Sequence, residues 1–291
     1  MFNYHILVVM KRFFLFAIIL ATTLLSCMAQ DVIIPRQISG EIQLYVDLFS
    51  HRRRNMTDAM LSRSYVYSPI IKNCLERYQM PQWLEYMPMV ESTLITTAKT
   101  NSGRMGLWML TPSMAKEHGL VINDDVNECF DPVLATEVAC ERLKEFHDYY
   151  DDWLLAVAAY NTAQSTVDGA ISRADGHRDY FAIHQYLPLE TRGFVPALLA
   201  ISYVMNHPEE FDLKPMCGVE IWSDSEEITV MDSLSFSRVS TSLGIFMEEI
   251  CRLNPKYVKK RIPVSTGEGY RFRLPKCYSE QFRQTFKSVI L

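Results

Sequence analysis

The sequence lacks the excess of positive charge that nucleic-acid-binding proteins carry, because its 29 lysines and arginines are outnumbered by 34 aspartates and glutamates. The net charge of -5 argues against a nucleic-acid partner. The seven histidines and seven cysteines show no metal-ligand spacing, and no glycine-rich loop is placed to cradle a phosphate. We therefore expect no metal, no cofactor and no nucleic acid.

The apolar stretch near the N-terminus, Phe13 to Leu25, is too short to span a bilayer. With basic residues before it and small residues after it, the pattern predicts an export signal over residues 1–29. Cleavage after Ala29, a lipoprotein-type cut before Cys27 with lipidation of that cysteine, and an uncleaved anchor are three alternatives. Each places the folded part outside the cytoplasm, in the periplasm or attached to the outer membrane.

The other six cysteines form an even set that oxidising surroundings could pair. Cys129 with Cys140, and Cys217 with Cys277, are plausible disulfides. Buried free thiols are the alternative.

Alternating apolar runs are nearly absent from Ile38 to Met205, where apolar residues recur every three or four positions, as in helices. Asp131 is a candidate N-cap followed by a proline, and it opens a helix that runs toward Tyr149. The segment 153–160, "WLLAVAAY", is apolar on every side and predicts a central helix. We expect a monomer with a mainly α first domain.

The helical pattern ends near residue 206, and a polar, proline-containing connector follows. We predict a helical domain over 30–206, a linker over 207–226 and a small second domain over 227–291. Candidate strands at 228–230 and 270–274 enclose two short helices, 233–243 and 246–253, which gives a βααβ unit.

A single glutamate ends the stretch 87–92, "MPMVES". Pro81 suits the first turn of a helix that runs toward Glu91, and Pro88 would kink that helix from inside at a cost of about 3 kcal/mol. The apolar neighbours of Glu91 favour the neutral form of its carboxyl group and should raise its pKa. Glu91 is therefore a candidate proton donor near neutral pH.

Four blocks occur in a fixed order: "MPMVES" at 87–92, "GLWMLTPSMAKEHGL" at 106–120, "AAYNTA" at 158–163 and "LPLETRGFVPALLA" at 187–200. With these blocks the chain resembles the lytic transglycosylases of the goose-lysozyme-like superfamily, of the membrane-bound transglycosylase D type. The resemblance covers residues 70–205 and implies a lysozyme-like helical fold.

The resemblance implies cleavage of the bond between N-acetylmuramic acid and N-acetylglucosamine in peptidoglycan glycan strands. Glu91 would act first as acid and then as base, closing a 1,6-anhydro ring, while the N-acetyl group of the substrate replaces a second carboxylate. Six further residues are implied at the site: Ser92, Trp108, Met109, Tyr160, Asn161 and Glu190.

Each of these residues has an expected role at the site and an alternative, purely structural role. Ser92 would orient the Glu91 carboxyl or act as a local cap. Trp108 would stack on a sugar or belong to the core. Tyr160 would hydrogen-bond the carboxyl, and Asn161 would hold the sugar or the loop, unless they are a core tyrosine and a helix C-cap.

Glu190 would line the groove or form an ion pair with Arg192. Met109 stands where the family usually has glutamine, and residues 162–165 replace an Ala-Gly-Pro-Gly turn. These departures support an alternative function, a non-catalytic or weakly active peptidoglycan-binding protein. A hydrolytic muramidase with Asp124 or Asp125 as general base is the other alternative.

The second domain resembles a lysin-motif (LysM) module, a small glycan-binding βααβ unit. The residues that carry the resemblance are 232–234, 243–245, 253–255 and 274–275. Its run 256–263 is longer and more basic than expected. This module would tether the protein to glycan and raise the local substrate concentration, or it would serve only stability or a partner contact.

Overall fold

The structure is a computed structural model that describes residues 40–215 and 224–291. Its first domain contains nine α-helices within the described part of the chain. They are α1 Gly40–Asp47, α2 Arg54–Arg77, α3 Met87–Ser92, α4 Pro112–Glu117, α5 Pro132–Tyr150, α6 Trp153–Asn161, α7 Gln164–Arg173, α8 Tyr180–Ile183 and α9 Leu189–Asn206. A π-helical turn, Leu48–Arg52, links α1 to α2, and 3-10 turns lie at Gln82–Tyr86, Glu128–Phe130 and His184–Tyr186.

The central helix is α6, whose residues from Leu155 to Tyr160 are all buried. It packs against α5 and α9, while α5 also packs against α2. Asp131 caps α5 as predicted, because its carboxylate accepts hydrogen bonds from the N–H groups of the first turn. The sequence pattern thus placed the core of the domain correctly.

The second domain has the predicted strand–helix–helix–strand order. Strand β1 (Ser225–Val230) pairs antiparallel with β4 (Tyr270–Pro275), and a short ladder joins β2 (Leu234–Ser235) to β3 (Arg261–Ile262). Helices α10 (Phe236–Leu243) and α11 (Met247–Leu253) lie between β2 and β3 in the chain. An additional helix, α12 (Ser279–Thr285), supplies Phe282 to the core of this domain. The mainly α class with a small βααβ domain is confirmed.

Five cysteines of the described residues are free thiols, so the predicted Cys129–Cys140 disulfide is absent. Both thiols are fully buried. The neighbouring Cys74 on α2, together with burial, raises the pKa of the Cys140 thiol. Cys277 is free as well, and its predicted partner, Cys217, lies outside the described residues.

None of the helices within 40–215 and 224–291 combines the length and apolar character that crossing a bilayer requires. The predicted signal over 1–29 and the middle of the predicted linker, 216–223, lie outside the described residues.

Candidate active site

Helix α3 carries Glu91 in its last turn, and it is a separate short helix. The expected long helix kinked at Pro88 is wrong: a 3-10 turn ends at Tyr86, and α3 starts at Met87. Pro88 therefore lies in the first turn, where its missing N–H would have had no intrahelical partner. The sequence avoids the interior-proline cost by dividing the helix.

The chain leaves α3 through two consecutive left-handed residues, Thr93 (φ 54°) and Leu94 (φ 59°). This conformation is unusual for any residue other than glycine and is most strained for a β-branched one. The carbonyl of Thr93 accepts a hydrogen bond from the Arg63 guanidinium at 2.9 Å. Buried Leu94 and this bond hold the strained exit, so the backbone next to Glu91 is fixed by its surroundings.

The carboxyl group of Glu91 is desolvated, although the residue keeps some exposed surface. Its Oε1 is buried and has no hydrogen-bond partner among the described residues. Burial raises the pKa of Glu91 to about 7, while the charge of Arg104 and the polar side chain of Asn161 act in the opposite direction. A carboxyl group with this pKa can give a proton and take it back near neutral pH.

Arg104 is a functional candidate that the sequence reasoning missed. Its guanidinium joins two segments of the site, because Nε donates to the Met109 carbonyl at 2.9 Å while Nη1 and Nη2 donate to the carbonyls of Asn161 (3.0 Å) and Tyr160 (3.1 Å). The same positive charge favours the ionised form of Glu91. The available signal was an arginine between the blocks 87–92 and 106–120, in a stretch whose one other charged residue is Lys99.

Tyr160 and Asn161 lie near Glu91, at the C-terminal end of α6, as expected. The side chain of Asn161 is close enough to the Glu91 carboxyl to lower its pKa. The buried hydroxyl of Tyr160 donates instead to the Trp108 carbonyl at 2.8 Å, so the expected bond from the phenol to the carboxyl is not made. Burial and the nearby Glu91 charge raise the pKa of Tyr160 well above its ordinary value.

Ser92 and Trp108 take the structural role of the two that are expected for each. The Ser92 hydroxyl donates to the Leu107 carbonyl at 2.7 Å and so ties α3 to the neighbouring loop, with no bond to the carboxyl. Trp108 is fully buried and donates from Nε1 to Thr136 at 2.9 Å. A ring enclosed on all sides cannot stack on a sugar, so the stacking interpretation of Trp108 is wrong.

The loop that faces α3, residues 105–109, depends on a glycine. At Gly106 (φ 82°) an added Cβ would lie 1.9 Å from the carbonyl oxygen of Cys129. Met109, at the other end of the loop, is buried and also left-handed (φ 49°). This close approach fixes the 105–109 loop against the segment 121–131.

Among the described residues, the remaining candidates make no hydrogen bond to the Glu91 carboxyl. Glu190 is exposed in the first turn of α9, and among the described residues no ion pair joins it to Arg192. Arg192 donates instead to the Leu187 carbonyl at 2.7 Å. Asp125 pairs with Lys259 and Arg261 of the second domain, and the Arg261 guanidinium lowers its pKa. Asp124 is exposed.

Comparison with known proteins identifies both domains. Residues 68–182 match the family model of the transglycosylase SLT domain, and residues 224–289 match that of the lytic transglycosylase MltD, LysM-like domain. The chain therefore carries an SLT domain followed by an MltD-type LysM-like domain, which confirms the resemblance drawn from the four blocks.

Among individual relatives, the chain is similar to membrane-bound lytic murein transglycosylase D of Escherichia coli strain K12. The two are 26% identical over 246 residues, which cover 81% of this chain and 52% of the relative. The chain thus spans about half the length of the curated relative it matches.

Two solved structures are also similar. One is the 70 kDa soluble lytic transglycosylase Slt70 from Escherichia coli, with 21% identity, a TM-score of 0.43, and coverage of 49% of this chain and 24% of the other. The second is lytic transglycosylase Slt from Pseudomonas aeruginosa, with 17% identity, a TM-score of 0.41, and coverage of 51% and 24%.

Proposed function

We propose that the protein is a lytic transglycosylase that cleaves the bond between N-acetylmuramic acid and N-acetylglucosamine in peptidoglycan. The observation that carries this proposal is the Glu91 carboxyl, which is desolvated, has a pKa of about 7 and has no hydrogen-bond partner for Oε1 among the described residues. The SLT domain and the relative named as a lytic murein transglycosylase support the substrate class.

In the first step Glu91 gives its proton to the glycosidic oxygen as the bond from the muramic-acid carbon to that oxygen breaks. The N-acetyl group of the substrate stabilises the cationic sugar in place of a second carboxylate. Arg104 and Asn161 favour the carboxylate that this step leaves, because the positive charge of Arg104 and the polar side chain of Asn161 both lower the pKa of Glu91.

In the second step the Glu91 carboxylate takes the proton from the 6-hydroxyl group of the same sugar. The 6-oxygen then bonds to the cationic carbon and closes the 1,6-anhydro ring. The proton that Glu91 lost is restored, and no water enters the product. A carboxyl group whose pKa lies near the working pH suits both directions of this transfer.

The predicted signal and the membrane-bound relative support an exported protein that meets peptidoglycan outside the cytoplasm. Analysis of the products from peptidoglycan sacculi tests the reaction. The wild-type protein is expected to release anhydromuramic ends, and Glu91→Gln is expected to release none. Glu209→Gln, which changes an exposed glutamate after α9, is the matched control. Retained turnover in Glu91→Gln refutes the assignment.

One observation favours a weakly active glycan-binding protein as the second candidate. Met109 places a buried thioether where the family has a glutamine amide, so the donor and the acceptor of that amide are missing from the 105–109 loop. That candidate predicts binding to sacculi without new ends of either kind. Reducing ends would instead indicate a hydrolytic muramidase, for which Asp125 is poorly suited because two cations hold it.

A further inference from the structure

Two charged segments take no part in the proposed reaction, and the structure brings them together. They are the basic run 256–263 of the second domain and the segment 124–131 of the first. Asp125 Oδ1 lies 3.3 Å from Lys259 Nζ and 3.1 Å from Arg261 Nη2. Lys256 Nζ lies 2.9 Å from Asp131 Oδ2, and both side chains of this second pair are almost fully buried, with 10% and 13% exposed.

The main chains of the two segments also pair. The Asn127 N–H donates to the Lys256 carbonyl at 2.8 Å, and the Val258 N–H donates to the Asp125 carbonyl at 3.0 Å. These bonds form an antiparallel bridge between Val126 and Tyr257. Residues 125–127 therefore add a short strand-like segment to the second domain.

Val126 supplies the apolar part of this contact. It belongs in sequence to the first domain, yet its side chain is 1% exposed and is packed in the hydrophobic core of the second. A buried ion pair, main-chain hydrogen bonds and a shared core residue act at one place. A freely moving tether would make none of these contacts.

The contact continues from the segment 121–131 to the 105–109 loop. The side-chain amide of Asn127 donates to Met105 Sδ at 3.3 Å, and Gly106 lies against the Cys129 carbonyl. The 105–109 loop in turn receives hydrogen bonds from Ser92 and Tyr160. Two intervening segments thus connect the second domain to the helix that carries Glu91.

We propose that the LysM-like domain is a docked part of the catalytic unit, and that Val126 and Lys256 are positioning residues for Glu91. Docking holds the segment 121–131, which holds the 105–109 loop against α3. The part of this proposal that concerns turnover rests on the proposed function. A mobile tether would only raise the concentration of glycan near the site.

Calorimetry of the full chain tests docking without any need for activity. The wild-type protein is expected to unfold in one transition, because the domains share a core residue and a buried pair. Val126→Asp places a carboxylate in that core and is expected to split the transition into two. Lys256→Met removes the buried ion pair and should weaken the coupling between the two domains, whereas Lys256→Arg keeps the positive charge and should keep the coupling. Glu227→Gln is the control, because its partner Arg273 lies in the same domain. Two transitions in the wild type, or one unchanged transition in Val126→Asp, overturns docking.

Kinetics on a peptidoglycan oligosaccharide too short to reach both domains tests positioning. A shift of about 1 Å in a catalytic group can reduce turnover about a hundredfold. We expect kcat to fall by about tenfold to a hundredfold in Val126→Asp and less in Lys256→Met, with KM within about twofold and recovery in Lys256→Arg. A loss confined to sacculi, with kcat on the short substrate unchanged, overturns positioning in favour of a tether.

A further readout keeps positioning testable if the wild-type protein cleaves no glycan and the proposed function fails. The rise in Tm that Glu91→Gln causes at alkaline pH should shrink by at least half in the Val126→Asp background, because a displaced loop lets water reach the carboxyl. An equal rise in both backgrounds overturns positioning.

Discussion

Replacing Glu91 by glutamine should stabilise the folded protein at alkaline pH and leave its stability unchanged in acid. The pKa of this carboxyl is about 7 in the folded protein, against an ordinary value of 4.5. Between these two values the unfolded chain has already lost the proton that the folded protein still holds. The free energy of unfolding therefore decreases as the pH rises through this window, and the loss is complete above pH 7.

The size of the effect follows from the pKa difference. A difference of about 2.5 pH units, at about 1.4 kcal/mol for each unit, gives a penalty of about 3 kcal/mol on the wild-type protein at alkaline pH. Glutamine resembles the neutral acid and carries no such penalty. For a cooperative unit of 150–250 residues this corresponds to a gain of about 6–12 °C in Tm.

Thermal unfolding of the two proteins from about pH 4 to pH 8 measures the effect. The difference in Tm should be near zero at the acid end, should grow between about pH 4.5 and 7, and should be constant above. Glu209→Gln is the control, because substitution of an exposed residue is expected to change stability by less than about 0.5 kcal/mol. A difference in Tm that does not vary with pH would refute the desolvation of Glu91.

Three further substitutions test other parts of the site. Arg104→Met should raise the pKa of Glu91 and move the alkaline limb of the pH–rate profile to higher pH. Arg104→Lys keeps the positive charge and should leave the limb near its wild-type position. An unmoved limb in Arg104→Met contradicts the role of Arg104 in lowering the pKa of Glu91. Gly106→Ala should reduce the free energy of unfolding, measured by chemical denaturation, by about 3 kcal/mol or more, because the new Cβ meets a backbone carbonyl. Gly119→Ala is the control, because Gly119 also has a positive φ but lies in open space, and it should cost about 1 kcal/mol. Met109→Gln should raise turnover on sacculi by up to about tenfold if the missing amide limits the wild-type protein, since one hydrogen bond contributes about 1 kcal/mol, and unchanged turnover would show that it does not.

The sequence predicted most of the fold because its main elements carry local signals. Asp131 followed by a proline marked the start of α5, and the apolar segment 153–160 marked the central helix. Alternation in the segment 270–274 marked β4. In each case the pattern that local chemistry favours is the one that packing also requires.

The errors arose where a residue's surroundings come from distant parts of the chain. Pro88 was expected inside one long helix, because a proline at an internal position and a proline in the first turn of a new helix look alike in sequence. Trp108 lies in the core because Thr136, 28 positions later, accepts its N–H. No local pattern reports such a partner.

The same limit explains what sequence reasoning missed at the site. Glu91 and Asn161 are candidates because they lie in the four blocks, and their roles stay predictions. Arg104 lies outside the blocks, and its three acceptors are backbone carbonyls, which any sequence supplies. In sequence, the acidic doublet at 124–125 is typical of a catalytic base or of a solvated loop, and the basic run 256–263 is only a departure from the LysM pattern. The pairing of Asp125 with Lys259 and Arg261 is a tertiary contact between residues more than 125 positions apart.

The most direct test of one carboxyl acting as both acid and base is digestion of sacculi in water labelled with heavy oxygen, followed by mass spectrometry of the new glycan ends. The account predicts anhydromuramic ends without the label from the wild-type protein, and no new ends from Glu91→Gln. Reducing ends that carry heavy oxygen, or continued cleavage by Glu91→Gln, would contradict it.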